Sequence, residues 1–391
     1  MKLGLYGGTF DPPHLGHEVA ARTAATALAL DRLIIMPTFS PPHKHTDTDS
    51  AHRLAMATLL ADMVDCHCET EVLCSDYEVA KGGASYTVDT VDMLRREYPQ
   101  AELYLLTGAD MFHSLQDWRE AQRLLSMVTV CAFLRSAADD DLDDQRGRLE
   151  QEFGAQVILL EIPDLVEVSS TELREKLAPM FLLPQVYGYI LRNRLYGTDK
   201  DLKDLSLDEL RAASYSRIYA RRIPHVQGTE ETAAALARQY GADEEQARWA
   251  AILHDITKYE SRERQLQLAQ KYGIILDGQS LGAEKLLHAK TAAAIAAAEY
   301  SAQQAVVDAI FWHTTGHANM TALEKIIYLA DYIEPNRNFD GVDAVRTLAK
   351  ESLDAAVLKG LEQTVQELEE KGAVVHGDTV AAIQSLKEGQ T

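Results

Sequence analysis

The segment GGTFDPPHLGH, residues 7–17, combines residue types that are typical of phosphate-binding sites. It follows the apolar segment KLGLY and precedes an alanine-rich stretch, so it lies between a candidate strand and a candidate helix. Gly7 and Gly8 let a ligand approach the backbone closely, and Thr9 adds a hydroxyl group. His14 and His17 share one face at the start of the candidate helix. The pattern predicts a polyphosphate site at this helix N-terminus rather than a corner with surface histidines.

A second polar cluster lies in VSSTELREKL, residues 168–177, where another strand gives way to a helix. Ser169 and Glu172 fit the S-x-x-E capping box, so a structural role is the favoured interpretation of this segment taken alone. Ser170, Thr171 and Arg174 would also present two hydroxyl groups and a guanidinium group at a helix N-terminus. The segment is therefore a second candidate anion site.

The second half of the chain carries histidine and aspartate residues on separate candidate helices. The candidates are His225, His254, Asp255, His288, His313 and Asp331. Ionisable groups on apolar helices are costly to bury unless they are paired or bound to a metal ion. For any one histidine, a hydrogen-bonded core residue is the expected role, whereas the combination favours a metal centre. Its nitrogen and oxygen donors suit Mn, Fe or Mg better than a thiolate-bound zinc ion.

The segment CHCETEVLC contains Cys66, His67, Cys68 and Cys74. Its spacing lacks the second pair of ligands that a zinc site would need. We therefore expect these cysteines to act as small apolar residues rather than as metal ligands.

Composition limits the classes of function. The chain has 391 residues, which indicates two or three domains, and its formal net charge of −22 argues against general nucleic-acid binding. No apolar stretch approaches the roughly 20 residues that span a membrane, and the first residues lack the apolar core of a secretory signal. Four cysteines do not suggest a disulfide framework. We expect a cytoplasmic protein with no nucleic-acid or membrane partner, and the sequence leaves open whether it forms a homo-oligomer.

Strand and helix patterns alternate over residues 1–195 and then change. Apolar runs with the character of strands are KLGLY, RLIIMP, TEVLCSDYEVA, ELYLLTG, MVTVCAFL and QVILLEIP. Helical patterns lie between them, for example in residues 51–63 and 86–98 and in SLQDWREAQRLL. This alternation predicts an α/β fold with a doubly wound parallel sheet. Residues 196–210 are polar and rich in turn formers, which is typical of a linker, and residues 211–391 predict an all-α domain.

Several motifs of the first 195 residues together resemble bacterial nicotinate-nucleotide adenylyltransferases, which belong to the nucleotidyltransferase superfamily. The motifs are GGTFDPPHLGH, PPHK at 41–44, SYTVDT at 85–90, GADMF at 108–112 with Trp118, and VSSTELR. The resemblance implies a Rossmann-like fold and transfer of AMP from ATP to nicotinic acid mononucleotide, assisted by Mg²⁺. Deamido-NAD and pyrophosphate would be the products. SYTVDT and Trp118 argue against phosphopantetheine as the acceptor, while nicotinamide mononucleotide or another acceptor stays an alternative.

The same resemblance implies roles for individual residues. ATP would be bound by Gly7, Gly8, Thr9, Phe10, Lys44, Gly108, Asp110, Ser170, Thr171 and Arg174, with His14 and His17 as catalytic residues. Thr87 and Trp118 would hold the nicotinate ring. From the residues alone, Trp118 could equally belong to the core around its helix.

Motifs of the second half resemble the HD phosphohydrolase superfamily, and within it the bacterial symmetrical diadenosine tetraphosphate hydrolases. They are AAILHDITK, HTTG at 313–316 and EKIIYLADYIEPNR at 324–337. The likeness covers residues 205–391. It implies hydrolysis of this dinucleoside polyphosphate into two ADP, with two ions of Fe, Mn or a similar divalent metal.

This second resemblance implies a ligand set and a phosphate contact. His225, His254, Asp255 and Asp331 would bind one metal ion, and His288 and His313 would serve a second ion or the phosphates. Asp255 would also be catalytic, and Lys258, one turn further on, would meet a phosphate. His317 stands where another basic or polar residue is expected, which leaves the choice of substrate open. A nucleotide-binding sensor without turnover and a hydrolase of another nucleotide are the alternatives.

Overall fold

A computed structural model describes residues 1–40, 46–134, 140–162, 166, 168–276, 278–279 and 284–389. The chain divides into two compact units, Met1–Thr198 and Asp199–Thr391. None of the described helices is both long enough and apolar enough to cross a lipid bilayer.

Among the described residues of the first unit, six parallel strands form one sheet in the order β3-β2-β1-β4-β5-β6. The strands are β1 (Lys2–Gly8), β2 (Arg32–Pro37), β3 (Glu71–Cys74), β4 (Glu102–Thr107), β5 (Thr129–Leu134) and β6 (Gln156–Glu161). Leu5 of β1 pairs with Ile34 of β2 on one side and with Leu105 of β4 on the other. The strand order therefore reverses beside β1, and ligands of such sheets bind at the carboxyl ends of the strands that flank this point. The predicted doubly wound parallel sheet is confirmed.

Helices cover both faces of the sheet. They are α1 (Leu15–Ala27), α2 (Ser50–His67), α3 (Tyr77–Lys81), α4 (Thr87–Glu97), α5 (Ala109–His113), α6 (Ala121–Leu125), α7 (Asp140–Phe153), α8 (Ser170–Glu175) and α9 (Pro184–Asn193). Successive residues of β2 belong to different cores: Leu33 lies in the same core as Ala21 of α1, and Ile34 lies in the same core as Val91 of α4. Because both faces are covered, the strands are continuous apolar runs rather than alternating ones.

Two predicted elements are shorter than their sequence patterns suggest. In TEVLCSDYEVA, the strand pairs with β2 only as far as Cys74, and the remainder forms helix α3. In SLQDWREAQRLL, the single predicted helix is instead a 3₁₀ helix, Leu115–Asp117, followed by the short helix α6. Glu120 separates the two with a φ of 54°, a left-handed conformation that a continuous α-helix does not allow.

The described part of the second unit contains helices and no strand, which confirms the predicted all-α fold. The helices are α10 (Leu207–Tyr215), α11 (Ile223–Tyr240), α12 (Glu244–Leu253), α13 (Arg262–Lys271), α14 (Glu284–Tyr300), α15 (Gln304–Trp312), α16 (Ala322–Ile333), α17 (Val342–Leu348), α18 (Leu353–Glu370) and α19 (Gly377–Glu388). Helix α11 packs against both α12 and α16 at the centre of the unit. A capping box of Thr321 and Glu324 fixes the start of α16.

Candidate functional sites

A cavity of about 1220 Å³ opens at the carboxyl ends of β1 and β4, where the strand order reverses. Most of the residues predicted for the nucleotide site line it. These are Gly7, Gly8, Thr9, His14, His17, Thr87, Gly108, Asp110, Trp118, Ser170 and Thr171. Phe10 lies just behind, with its ring 5.3 Å from the ring of His17. Lys44 lies outside the described residues.

The two histidines of the 7–17 motif are in contact, with ring centroids 3.8 Å apart. The backbone N–H of His14, the N-cap residue of α1, donates to Nδ1 of His17 over 3.2 Å. Nδ1 of His17 is therefore an acceptor, so the neutral ring carries its proton on Nε2, from which it can donate to an anion. Burial lowers the pKa of His14 to about 4 against the opposing charge of Glu172, so this ring is neutral near pH 7.

Gly16, between these histidines, is required by close packing. A Cβ atom at this position would lie 3.0 Å from two atoms of the His14 ring and 3.2 Å from the carbonyl oxygen of Val166. The glycine of the HLGH sequence therefore makes room for the first histidine.

The start of α8 is attached to the 7–17 motif by hydrogen bonds to its backbone. Ser170 Oγ donates to the carbonyl of Pro12 over 2.9 Å, and Arg174 Nη1 donates to the carbonyl of Asp11 over 2.6 Å. Tyr196 Oη donates to the Asp11 carboxylate over 2.7 Å. The two segments that the sequence predicted as separate anion sites thus form one structure beside the cavity.

The capping box predicted for α8 is also present. Ser169 accepts from the backbone N–H of Glu172, and the Glu172 carboxylate accepts from the backbone N–H of Ser169. Thr171, two residues after Ser169, lines the cavity, and its hydroxyl accepts from Arg174 Nη2 over 3.0 Å. Structural capping and a polar face toward the cavity therefore coexist in this segment.

Trp118 is half-buried, and its ring both lines the cavity and packs against the apolar core under α4 and α5. Its Nε1 donates to Ser114 Oγ over 3.3 Å, which fixes the orientation of the ring. Thr87 is the first residue of α4 and lines the same cavity. The Trp118 ring and Thr87 therefore line one cavity, where both are positioned to contact the same planar ligand.

In the second unit, the six predicted histidine and aspartate residues converge. His225 Nε2 lies 3.0 Å from Asp331 Oδ1 and 3.3 Å from His254 Nε2. His254 Nε2 lies 3.3 Å from Asp255 Oδ2. The ligand atoms of His225, His254 and Asp331 all lie within 4.8 Å of one another, as do those of His254, Asp255 and His313.

The remaining histidine completes the cluster. His288 Nε2 is 3.2 Å from Asp255 Oδ1 and 3.2 Å from His313 Nε2. Asp255 therefore contacts both halves of the cluster through its two oxygens. His288 is 4% exposed and His313 is 2% exposed, so water has little access to either residue.

The orientation of the imidazoles fits a divalent metal ion. Three of them donate through Nδ1 to a neighbouring acceptor: His225 to the Glu334 carboxylate (3.0 Å), His254 to the carbonyl of Ala251 (2.6 Å) and His313 to the carbonyl of Ile310 (2.6 Å). This bonding places the lone pair on Nε2, which in each ring points to the shared centre. Converging Nε2 atoms and carboxylates are the donor set of Mn, Fe and related ions.

Comparisons with known proteins agree with this division into two sites. Residues 5–176 match the family model described as cytidylyltransferase-like, and residues 222–336 match that of the HD domain. A probable nicotinate-nucleotide adenylyltransferase of Carboxydothermus hydrogenoformans is 36% identical over 201 residues, which are 50% of this chain and 98% of that protein. A symmetrical bis(5'-nucleosyl)-tetraphosphatase of Halalkalibacterium halodurans is 42% identical over 166 residues, 42% of this chain and 88% of that protein.

The first half of the chain belongs to the nicotinate-nucleotide adenylyltransferase family, and the second half to the HD domain family. A protein of Clostridium acetobutylicum with a crystal structure, described as a predicted HD superfamily hydrolase involved in NAD metabolism, is 34% identical to this chain. It covers 47% of this chain and 98% of its own, with a TM-score of 0.46. We refer below to the adenylyltransferase unit and the HD unit.

Sequence reasoning missed Arg53 in the adenylyltransferase unit. Its side chain is 1% exposed and donates to the backbone carbonyls of Thr9 (3.2 Å), Thr38 (2.5 Å), Phe39 (2.6 Å) and Thr48 (3.2 Å). Burial lowers the pKa of this guanidinium, and the carboxylate of Asp11 opposes the change. The only signal in the sequence is that Arg53 shares a helix face with apolar residues three, four and seven positions later.

A buried carboxylate that lines the same cavity as Trp118 was also missed. Glu78 is 6% exposed and lines the cavity; its Oε1 accepts from Thr90 Oγ1 over 2.5 Å. Burial raises the pKa of Glu78, which the hydroxyl of Thr90 partly opposes. Because Thr90 is on α4, Glu78 links α3 to the helix that carries Thr87.

Three basic side chains contact the carboxylates of the HD unit, and the sequence had singled out only Lys258. Arg222 Nη2 lies 2.5 Å from Asp255 Oδ2, and Lys258 Nζ lies 3.2 Å from Asp255 Oδ1. Arg337 Nη2 lies 2.7 Å from Asp331 Oδ1. These cations offset the negative charge of the two carboxylates in a chain that is strongly acidic overall.

Both carboxylates of the cluster are ionised. Burial raises the pKa of Asp255, but its contacts with His254 and His288 and the charge of Lys258 outweigh it and hold that pKa well below its usual value. Burial likewise raises the pKa of Asp331, but the contact with His225 and the charge of Arg337 outweigh it and hold that pKa well below its usual value. Ionised oxygens are what metal coordination requires.

Two further sequence features are not among the candidate ligands. His317 Nε2 is 3.1 Å from a carboxylate oxygen of Glu324, the residue that caps α16. Within the part of the chain that the structure describes, no group of three potential metal ligands includes a cysteine.

Proposed function

We propose that the adenylyltransferase unit transfers AMP from ATP to nicotinic acid mononucleotide, with deamido-NAD and pyrophosphate as products. The observation that carries this proposal is the joining of the 7–17 motif and the α8 start beside one cavity at the reversal of the strand order. Parallel sheets bind nucleotides at this position. Family membership supports the choice of reaction.

In the proposed reaction, the phosphate of the mononucleotide attacks the α-phosphorus of ATP, and pyrophosphate leaves without a covalent enzyme intermediate. His17 donates from Nε2 to the ATP phosphates, and the neutral His14 beside it keeps that ring in place. Gly7, Gly8 and Thr9 provide close backbone contact at the N-terminus of α1. Ser170, Thr171 and Arg174 complete the phosphate contacts. Such transfers require mainly positioning and electrostatic stabilisation.

The remaining roles in this unit follow the family resemblance. Gly108 and Asp110 contact the adenosine, while Thr87 and Trp118 hold the nicotinate ring. Phe10 supports His17, and Lys44, outside the described residues, would assist the phosphates. Mg²⁺ would enter with ATP and supply further charge neutralisation, since it is usually held by phosphates and few protein ligands.

A substrate panel tests this proposal. The full chain is incubated with ATP, Mg²⁺ and nicotinic acid mononucleotide, nicotinamide mononucleotide or phosphopantetheine, and the products are separated by chromatography. Deamido-NAD as the main product, lost in His17→Ala, supports the proposal. If the protein uses one of the other two acceptors preferentially, that acceptor is the substrate and the proposal is wrong.

We propose that the HD unit hydrolyses diadenosine tetraphosphate symmetrically to two ADP with the help of divalent metal ions. The convergence of four imidazoles and two carboxylates, bordered by three cations, carries this proposal. His225, His254, Asp255 and Asp331 would hold one ion of Fe, Mn or a similar metal, and His288 and His313 would hold a second ion or contact phosphates. When bound, such ions neutralise phosphate charge and lower the pKa of a coordinated water molecule.

The residues around this centre orient and hold the substrate. Lys258 and Arg222 neutralise phosphate oxygens on the Asp255 side, and Arg337 does so on the Asp331 side. The burial of the four imidazoles excludes bulk water, which strengthens these charge interactions. The tetraphosphatase relative supports the choice of a dinucleoside polyphosphate.

This second proposal is tested with diadenosine tetraphosphate and Fe²⁺, Mn²⁺, Co²⁺ or Mg²⁺ in turn, beside an Asp255→Ala variant. ADP as the sole product, absent in the variant, supports it. Unequal products would indicate asymmetric cleavage. Tight nucleotide binding with no product at any metal would favour a sensor instead.

We also propose the domain division 1–195, 196–210 and 211–391 for the adenylyltransferase, a linker and the HD domain, in a cytoplasmic protein. The polar composition of residues 196–210 supports this division. Limited proteolysis followed by mass spectrometry tests it, with first cleavage expected within 196–210. First cleavage inside either proposed domain would contradict it.

A further inference from the structure

Two exposed aromatic rings lie beside the cations of the HD unit. Tyr219 is 45% exposed and Tyr259 is 39% exposed, although tyrosine rings usually bury most of their surface. Their centroids are 4.6 Å apart with an interplanar angle of 66°. The two rings are therefore in edge-to-face contact, and both are partly exposed to solvent.

Each ring lies within three residues of a basic residue that contacts Asp255 of the histidine and aspartate cluster. Tyr219 is the N-cap residue of the 3₁₀ helix Ala220–Arg222, whose last residue donates to Asp255 from Nε (2.8 Å) and Nη2 (2.5 Å). Tyr259 follows Lys258, whose Nζ contacts the other oxygen of Asp255 over 3.2 Å. The pair thus joins the two segments that bring positive charge to the cluster.

A third cation lies on this surface. The guanidinium of Arg221, itself exposed, lies 5.1 Å from the centroid of the Tyr219 ring. Aromatic rings next to Lys and Arg side chains are the combination that binds nucleotides, because the base stacks on the ring while the cations meet the phosphates. Neither the metal cluster nor the helix packing requires these two exposed rings.

We propose that Tyr219 and Tyr259 form a subsite for the purine base of the nucleotide whose phosphates reach the metal cluster. This inference rests on the function proposed for the HD unit and specifies how it recognises a nucleoside polyphosphate rather than a bare polyphosphate. One base stacks on the face of one ring and contacts the other ring, and Arg221, Arg222 and Lys258 contact the phosphates between the base and the cluster.

Kinetics with and without a base test the subsite. The full chain and the variants Tyr219→Ala and Tyr259→Ala are assayed with diadenosine tetraphosphate and with inorganic tripolyphosphate. Loss of one stacking partner is expected to raise KM for the dinucleotide about 5-fold to 100-fold. The inhibition constant of tripolyphosphate, added as a competitor, is expected to change less than about two-fold. Tyr219→Phe and Tyr259→Phe keep the ring and recover the lost affinity. Ile275→Ala, at a position 92% exposed, is the control for a surface substitution.

A second readout does not depend on turnover. The protein is labelled with 3-fluorotyrosine, and the ¹⁹F signals of Tyr219 and Tyr259 are identified by their loss in the two phenylalanine variants. ADP is expected to shift both signals, and pyrophosphate is expected to shift them much less. The nucleotide site of the other unit does not interfere, because each signal reports on one named ring.

The outcomes separate the two proposals. Hydrolysis of diadenosine tetraphosphate with unchanged KM in both alanine variants, or ADP that leaves both ¹⁹F signals in place, would overturn the base subsite. ADP-dependent shifts of both rings in a protein that hydrolyses no substrate with any metal would support the subsite and overturn the hydrolase function.

Discussion

Gly228 of helix α11 offers a sharp test of how the HD centre is supported. A Cβ atom at this position would lie 2.5 Å from Glu334 Oε2 and 3.2 Å from Asn336 Nδ2. Glu334 is 1% exposed, accepts from His225 Nδ1 over 3.0 Å, and accepts from the backbone N–H of Asn336 over 2.6 Å. In Gly228→Ala the carboxylate must retreat by about 1 Å to restore an ordinary contact of about 3.5 Å. That movement breaks the hydrogen bond that orients His225.

The expected result is weaker metal binding. Loss of the acceptor that orients a histidine ligand typically costs about 10-fold to 100-fold in metal affinity, or about 1.4 to 3 kcal/mol. Calorimetric titration of the metal-free full chain with Mn²⁺ measures this directly, without reference to activity. The melting temperature of the metal-free protein, followed in parallel, shows whether the variant is folded.

Gly147 provides the matched control. It also lies inside a helix, α7, but a Cβ atom there would meet nothing within 4 Å. Gly147→Ala should therefore only gain helix propensity, worth up to about 1 kcal/mol, and leave Mn²⁺ affinity unchanged. If Gly228→Ala binds Mn²⁺ as tightly as Gly147→Ala does, the reasoning that Glu334 holds His225 in place is wrong.

Three further predictions concern the adenylyltransferase unit. Arg53→Met leaves four backbone carbonyls without their donor and should therefore lower kcat/KM for ATP about 100-fold. Circular dichroism should show that the variant is folded. Near-normal kinetics would rule out a positioning role for Arg53. The pKa of His14 is lowered from 6.5 to about 4, so the unfolded chain binds its proton first as the pH falls. The free energy of unfolding should then drop by up to about 3 kcal/mol as the pH falls from about 6.5 to about 4. Denaturant titrations at several pH values should show that this free energy depends less on pH in His14→Gln than in the unchanged protein. Trp118→Ala should raise KM for the mononucleotide at least about five-fold and Trp118→Phe much less, whereas equal effects of both would indicate a purely packing role.

The sequence was sufficient to predict the architecture because the signals were local. Apolar runs separated by helical patterns indicated the parallel sheet, and the GGTF and HLGH elements stood at the strand-to-helix turn that such sheets use for phosphates. The histidines and aspartates of the HD unit could be grouped because ionisable residues on apolar helices need partners. Their assigned roles stay predictions, although the structure brings all six together.

The supporting residues could not be predicted in the same way. In the sequence, Arg53 looks like an ordinary arginine of a helix. Only the folded structure brings the segments that follow β1 and β2 into contact with its guanidinium. Glu334 lies 109 positions from His225, and no short spacing links them. The broken helix at 115–125 depends on the left-handed conformation of Glu120, which local propensity does not favour. These features arise from tertiary packing.

The attachment of α8 to the 7–17 motif has a consequence for the order of assembly. Asp11 accepts hydrogen bonds from Tyr196, which is 185 residues further along the chain, and from Arg174, which is 163 residues further along. These bonds cannot form until both residues have been synthesised. At a synthesis rate of about 5 to 20 residues per second, the motif leaves the ribosome about 10 to 40 s before its last partner. The ATP site is thus among the last parts of its unit to form, and a nascent chain shorter than 170 residues carries the motif without the side chains that hold it.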